Sequence, residues 1–365
     1  MTALNVALVG CGNISTQYLN NLPKLPNLTL ASVSDVVDAA AQKVSAERGV
    51  PVRAIGDVLA DDAVDVVLNL TTPQAHAPLT IDALQAGKHV YLEKPFATTL
   101  ADAEAMVAAA QATNRRIGSA PDTVLGTGIQ TARKLIDDGE IGTPVGATAF
   151  MMAAGHEAWH PNPAFYYLTG GGPLLDMGVY YLTALVTMLG PIEAVAGMGS
   201  RTRTERAVPN GAPRAGEVLT VEVDTYVTAS LRHASGAIST LIVSFDTQSS
   251  QLPRIEVYGT DGSVAAPDPN QFANPVGIAR TRNAAFDPVE NLAGYPDAGR
   301  GFGLSDMARA ITTGGPHRQS AELGFHVNEV MERVLQSISA RAFVDVVSTC
   351  DRPAPVPAGS RPDQA

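Results

Sequence analysis

Between Asn5 and Pro121 short apolar runs alternate with alanine-rich stretches. The runs are "NVALVG", "LTLASVSD", "VDVVLNLTTP", "HVYLEKP" and "RIGSAP", and between them lie segments such as "VVDAAAQKVSAERG" and "LADAEAMVAAAQATN". Nearly continuous apolar runs of this length suit strands buried on both faces, and the alanine-rich segments, each closed by Gly or Asn, suit helices. The alternation predicts an α/β domain with a doubly wound parallel sheet over residues 1–122.

The period then changes. "DTVLGTGIQTARKLIDDGEIGTP" reads as a connecting helix stopped by Gly139 and Pro144. Beyond it "TVEVDTYVTASLRHASGAISTLIVSFD" alternates apolar and polar positions around a turn, the pattern of an antiparallel hairpin with one solvated face. "RIEVYGTDGSVAA" repeats it around Asp261 and Gly262. These elements predict a second α/β domain over residues 123–345, built on a large, mainly antiparallel open sheet. "RTRTERAVPNGAPRAGE" and "PDPNQFANPVGIARTRNAAFDP" read as surface loops, "SAELGFHVNEVMERVLQSISA" as the last helix, and the proline-rich residues 351–365 as a poorly ordered tail.

Length agrees with two domains, since 365 residues exceed one comfortable core. With 45% hydrophobic and 17% charged residues the chain belongs with folded globular proteins. A net charge of −11 argues against nucleic acid or an anionic membrane as partner and favours a small ligand. Cys11 and Cys350 provide neither a disulfide framework nor a metal motif, and no metal site is expected. No stretch has the length of a membrane span and the first residues lack the pattern of a secretory signal, so a cytoplasmic setting is expected.

"VALVGCGNIS" places Gly10 and Gly12, followed by Asn13 and Ile14, after a strand and before a helix, where helix-start amides can face a pyrophosphate. The third position of the glycine fingerprint holds Ser15. Asp35 closes the second strand, where a carboxylate accepts from an adenosine ribose and repels a 2′-phosphate, so NAD is favoured over NADP. A helix cap is the structural alternative for Asp35. Thr71, Thr72 and Pro73, with His76 one helical turn on, end the third run, and Glu93 and Lys94 end the fourth. All converge on the carboxyl edge of the sheet, where ligands of such folds bind.

The ordered set "GCGNIS", "TTPQAH", "EKP" and "GGGPLLDMG" resembles the Gfo/Idh/MocA family of oxidoreductases over nearly the whole chain. The resemblance implies an N-terminal Rossmann domain, bound NAD or NADP, sugar or cyclitol substrates, and homo-oligomers, dimer or tetramer, assembled through the second-domain sheet. In that family an Asp and, four residues later, a His face the nicotinamide; here those positions hold Asp176 and Tyr180. Tyrosine, with an ordinary pKa of about 10, accepts a proton less readily than histidine near neutrality.

The expected mechanism therefore gives proton transfer to Lys94, with Asp176 and Tyr180 orienting the substrate hydroxyl. "GHEAWHPNPAFYYLTGGG" gathers Trp159, His160 and Tyr166, a mixture suited to stacking on and hydrogen-bonding a carbohydrate. Asp122 and Thr123, at the end of the fifth run, are expected to add substrate contacts. The expected reaction is oxidation of a ring hydroxyl of a sugar, glycoside or cyclitol by hydride transfer. A redox-neutral NAD-dependent glycosidase and a non-enzymatic nucleotide and sugar sensor are the alternatives.

Overall fold

The structure, a computed structural model, describes residues 3–364, which form two compact units. The first takes in the described residues up to Gln130, then Asn291–Asn328, and the chain from Pro353 onward; the second comprises Thr131–Glu290 and Glu329–Arg352.

In the first unit β1 (Leu4–Val9), β2 (Leu28–Ser34), β3 (Val66–Asn69), β4 (His89–Leu92) and β5 (Ile117–Ser119) form one sheet in the order β2-β1-β3-β4-β5. Every pairing in it is parallel. The helices α1 (Ser15–Asn21), α2 (Asp38–Arg48), α3 (Ile55–Ala60), α4 (Pro73–Gln85) and α5 (Leu100–Thr113) fall between the strands. The run "VALV" in β1 is buried because both sheet faces are covered, and one core cluster gathers Ala7, Val67, Val90, Leu92, Phe96 and Met106. At α5, the Thr99 hydroxyl accepts from the amide of Asp102, and Asn114 closes the C-terminus in the left-handed conformation.

After α6 (Thr127–Asp137) the second unit carries β6 (Pro144–Met152), α7 (Val179–Leu189), β7 (Ile192–Ser200), β8 (Glu205–Ala207), β9 (Val218–Thr220), β10 (Tyr226–His233), β11 (Ile238–Ser244), β12 (Ile255–Gly259), β13 (Ser263–Ala266), β14 (Val276–Ala279) and β15 (Asp287–Val289). The chain continues through α8 (Phe302–Thr313), α9 (Ala321–Ala340) and β16 (Val344–Asp345). The nine-stranded sheet runs β15-β14-β13-β12-β6-β11-β10-β7-β16, and its one parallel pairing among the described residues joins β11 to β6. Along β10 buried positions alternate with exposed or half-buried ones, so one face is covered and the other open. Both units have the α/β architecture expected from the sequence.

Three expectations need correction. The two stretches read as surface loops contain strands: β8 pairs with β9 as a separate hairpin, and β14 and β15 extend the large sheet. Their glycines, prolines and arginines sit mostly between the strands. The domain boundary at 122/123 lies near the end of the first unit's opening segment, but that unit also recruits the much later segment holding α8. Nor is the tail loose. Val356 is wholly buried, and Arg318 donates to the carbonyls of Ala354 and Pro355. Each proline lacks an amide donor but keeps its carbonyl, and a buried guanidinium can hold the segment through such acceptors.

Candidate functional site

The first unit brings its candidate site residues to four strand ends, those of β1, β2, β3 and β4. At the end of β1 the chain turns through Gly10 at φ +99, where a Cβ would lie 2.5 Å from the Leu70 carbonyl oxygen. Only glycine fits that approach of two strand ends. At Gly12, by contrast, nothing lies within 4 Å of a Cβ position. A side chain there would fill the space through which a pyrophosphate reaches the helix-start backbone, so this cradle fits a dinucleotide. Ser15, in the third fingerprint position, is buried and its hydroxyl donates to the Gly12 carbonyl at 2.7 Å, so it closes the turn as well as packing it. Asn13 is exposed and Ile14 half-buried, both at the lip of the turn.

Asp35 is half-buried at the end of β2. Its carboxylate accepts from the Cys11 amide at 2.6 Å and the Val37 amide at 2.7 Å. It thereby pins the glycine turn to the end of the second strand. Next to it Val36 is fully exposed and Val37 58% exposed, an apolar surface beside a polar anchor that the sequence reading passed over.

At the end of β3 the Thr71 hydroxyl donates to Asn69 Oδ1 at 2.6 Å, Thr72 precedes α4 in extended conformation, and Pro73 opens the helix. Asn69, wholly buried, also donates to the His76 carbonyl at 3.1 Å. The expected cofactor contact by His76 is corrected, because its ring is fully buried. Its Nδ1 lies 2.8 Å from the Pro95 carbonyl and its Nε2 3.2 Å from that of Thr71. Burial holds its pKa below the ordinary value, so the ring is neutral and donates its single N–H to one of these two carbonyls.

Glu93 has an equally internal role. It is 5% exposed, accepts from the Tyr18 hydroxyl at 2.8 Å and takes the Lys94 amide at 3.0 Å. Its carboxylate therefore shapes the turn that presents Lys94, which is half-buried and precedes a cis peptide bond to Pro95.

Asp122 and Thr123 do not meet the substrate expectation, since both are 0% exposed. The Asp122 carboxylate accepts from the amides of Gly301 at 2.8 Å and Gly303 at 3.2 Å, at the start of α8, with the Arg300 guanidinium 3.5 Å away. Burial pushes its pKa up, against the lowering by Arg300 and by the two amides. It is a helix-start anchor recruited from a segment nearly 180 residues away in sequence, which no local pattern announces.

In the second unit α7 is entered through a wide π-type turn over Leu174–Gly178. Asp176 lies in that turn and Tyr180 in the first turn of α7, so the simple α-helical i, i+4 stacking expected of the pair does not apply. Tyr180 is 4% exposed and Tyr181 fully buried. His156, from the loop after β6, reaches the turn: its Nε2 lies 2.9 Å from Asp176 Oδ2. Among the described residues no cluster of metal-ligating side chains occurs.

The aromatic loop is held from beneath. Tyr167 donates to Glu157, whose other oxygen takes the Arg206 guanidinium at 2.8 Å; Arg206 also reaches Asp246 at 2.6 Å and the Ala154 carbonyl at 2.6 Å. Above this buried network the rings of Trp159, His160 and Tyr166 form an edge-to-face cluster, with His160 centred 5.3 Å from Trp159 and 5.1 Å from Tyr166. Trp159 is 57% exposed and Tyr166 half-buried. The Asn162 amide donates to His160 Nδ1 at 3.0 Å, and burial lowers the His160 pKa. The ring is therefore neutral, its proton on Nε2.

Comparison with known proteins agrees with this geometry. Residues 4–120 match the model of the oxidoreductase family with NAD-binding Rossmann fold, and residues 129–265 that of the GFO/IDH/MocA C-terminal domain. A 1,5-anhydro-D-fructose reductase of Ensifer adhaerens is 28% identical over 76% of this chain and 79% of its own. A myo-inositol 2-dehydrogenase of Thermotoga maritima is 26% identical over 72% and 75%. A levoglucosan dehydrogenase of Pseudarthrobacter phenanthrenivorans is 25% identical over 78% and 81%. Among solved structures, an NAD binding oxidoreductase from Klebsiella pneumoniae superposes with a TM-score of 0.82 at 23% identity, covering 95% of this chain and 100% of that one. The glycine cradle, the strand-end Lys94 turn and the π-turn entry to α7 are thus set in an NAD-binding domain and its partner domain, and the chain belongs to the Gfo/Idh/MocA family of oxidoreductases.

Proposed function

We propose that the protein oxidises a ring hydroxyl of a sugar, glycoside or cyclitol with NAD. The observation that carries this reading is the aromatic loop: an exposed Trp159 beside His160, Tyr166 and the Asp176 carboxylate offers a flat apolar face together with polar tips. That combination suits a sugar ring, whose C–H face stacks on aromatics while its hydroxyls need directed hydrogen bonds. The relatives named as acting on levoglucosan, myo-inositol and 1,5-anhydro-D-fructose support the same class.

NAD, when bound at the glycine cradle, supplies the hydride-accepting chemistry. Asp35 anchors the ribose, and Gly12 lets the backbone approach the pyrophosphate. Lys94 would take the proton of the reacting hydroxyl, while bound NAD would supply the acceptor for the hydride of the carbon that bears it. Asp176 and Tyr180 orient that hydroxyl, and Trp159 stacks on the ring. Copies of the chain associate through the open face of the nine-stranded sheet, where Met198 and Ile238 are 77% and 56% exposed; a monomeric mass by light scattering would refute this association.

The test is NADH formation from NAD with levoglucosan, myo-inositol and D-apiose, and NADH consumption with 1,5-anhydro-D-fructose. Turnover of at least one is expected. Lys94→Ala should then lower kcat by about 100-fold, the usual cost of losing a general base, and Tyr180→Phe by clearly less. A Tyr180→Phe loss as large as that of Lys94→Ala, with binding intact, would transfer the proton step to the tyrosine.

A further inference from the structure

We propose that His156 is the positioning residue of Asp176, an imidazole brought to the substrate carboxylate from the loop after β6. This inference rests on the sugar-oxidising reading above, because it assigns how the orienting carboxylate of that site is itself held.

His156 Nε2 stands 2.9 Å from Asp176 Oδ2, a hydrogen-bond distance. The two side chains keep 11% and 10% of their exposure, so the pair is neither sealed in the core nor loose on the surface. The ring is fixed on three sides, with centroids 5.2 Å from Trp159, 4.3 Å from Tyr166 and 4.6 Å from Phe245. Its backbone is fixed as well: the His156 amide donates to the Tyr167 hydroxyl at 3.1 Å, and Tyr167 is bound through Glu157 to the buried Arg206. The imidazole is therefore a rigid object whose Nε2 points at the carboxylate.

The contact gives the Asp176 carboxylate a hydrogen-bond partner from a separate loop. Asp176 lies in a π-type turn rather than a regular helix, and four residues on the chain carries the phenol of Tyr180. The same histidine touches Trp159, the exposed ring assigned to substrate stacking, so one side chain ties the hydrogen-bonding and stacking parts of the site together. His160 has contacts of its own. Its Nδ1 takes the Asn162 amide, and its ring packs between Trp159 and Tyr166.

The experiment separates the hydrogen bond from the packing. His156→Phe keeps an aromatic ring among its three neighbours but deletes the donor; His156→Gln restores an N–H at similar reach. With the panel compound turned over fastest, His156→Phe should lower kcat/KM by roughly 10- to 100-fold, the scale on which misplacing an orienting group acts. NAD affinity should stay unchanged. His156→Gln should recover to within about fivefold of the unsubstituted protein, and in an Asp176→Ala background, which removes the acceptor oxygens, His156→Phe should add less than about threefold, because the partner is already lost. Full activity of His156→Phe, failure of His156→Gln to recover, or an equal loss in both backgrounds would overturn the proposal.

Calorimetric titration of levoglucosan and of myo-inositol into the NADH-loaded unsubstituted protein, His156→Phe, Asp176→Ala and the double variant gives a readout without turnover. Coupled affinities at positions 156 and 176 support the proposal, and independent ones overturn it. Binding with additive effects removes this inference alone, whereas no binding and no turnover with any panel compound removes it together with the sugar reading.

Discussion

The two glycines of the β1 turn should respond to the same substitution in opposite ways. In Gly10→Ala the new methyl would lie 2.5 Å from the Leu70 oxygen and 2.8 Å from the Thr71 nitrogen, both backbone atoms, at a φ of +99 that alanine avoids. Backbone strain of this kind costs about 1–3 kcal/mol and overpacking a similar amount, so roughly 2–6 kcal/mol is lost. That is a large part of a typical folding free energy of about 5–15 kcal/mol and should lower the melting temperature of the first unit by on the order of 10 °C. In Gly12→Ala the methyl meets nothing within 4 Å, and no left-handed φ is required there. The fold should be unaffected or slightly stabilised.

What Gly12→Ala loses is the approach of the pyrophosphate to the backbone. A methyl forced into that contact costs about 1–3 kcal/mol, equivalent to roughly 5- to 150-fold in Kd for NAD. Differential scanning calorimetry without nucleotide, followed by NAD titration of whichever variant folds, measures both effects. Undiminished NAD affinity in Gly12→Ala, or unshifted melting in Gly10→Ala, would refute the division of labour drawn from the turn.

Asp35→Ser removes the charge facing the ribose and one anchor of the glycine turn; NAD binding should weaken about tenfold, and the preference over NADP should shrink, by titration with each nucleotide. Preference for NADP in the unsubstituted protein would contradict the role given to Asp35. Trp159→Ala should raise KM for the sugar while leaving NAD affinity unchanged, since the role proposed for Trp159 is to stack on substrate; equal loss of both would make the tryptophan structural. His89 yields a pH effect. Its Nδ1 accepts from the Arg116 amide at 2.9 Å, and burial, followed by the charges of Arg115 and Arg116, pushes its pKa down to about 4. A depressed folded value means its contribution is complete above the unfolded value of about 6.5 and is lost as pH falls from there towards 4. The partly exposed ring limits this to about 1–2 kcal/mol after solvent screening. His89→Asn keeps an acceptor and should flatten the melting temperature between pH 6.5 and 4; an unchanged slope would show that other groups carry it.

Much of the architecture was legible in the chain because it is written in local periods. Buried parallel strands are continuous apolar runs and one-sided antiparallel strands alternate, so "NVALVG" and "TVEVDTYVTASLRHASGAISTLIVSFD" announced their sheets without a neighbour in view. The glycine turn was legible for a related reason: the left-handed Gly10 and the strand-end place of Asp35 are backbone features that follow sequence order. Strand order was not, since β6 pairs with β11 and β12 across long intervals of chain.

Tertiary structure alone decided the fate of the polar residues. Asp122, His76 and Glu93 stand at strand ends, where ligands bind, yet each is turned inward to satisfy a buried amide, carbonyl or hydroxyl. Whether a carboxylate or imidazole faces a ligand or a backbone group depends on what arrives from elsewhere, such as the Gly301 and Gly303 amides. His156 shows the converse. Its meeting with Asp176, 20 residues later, requires a loop held by Arg206, and Arg206 lies in a stretch whose composition reads only as surface. Sequence carries the periods that backbone hydrogen bonding and burial impose on each element; the pairing of buried polar groups is settled only when distant segments close on one another, because each such group must find its partner in three dimensions.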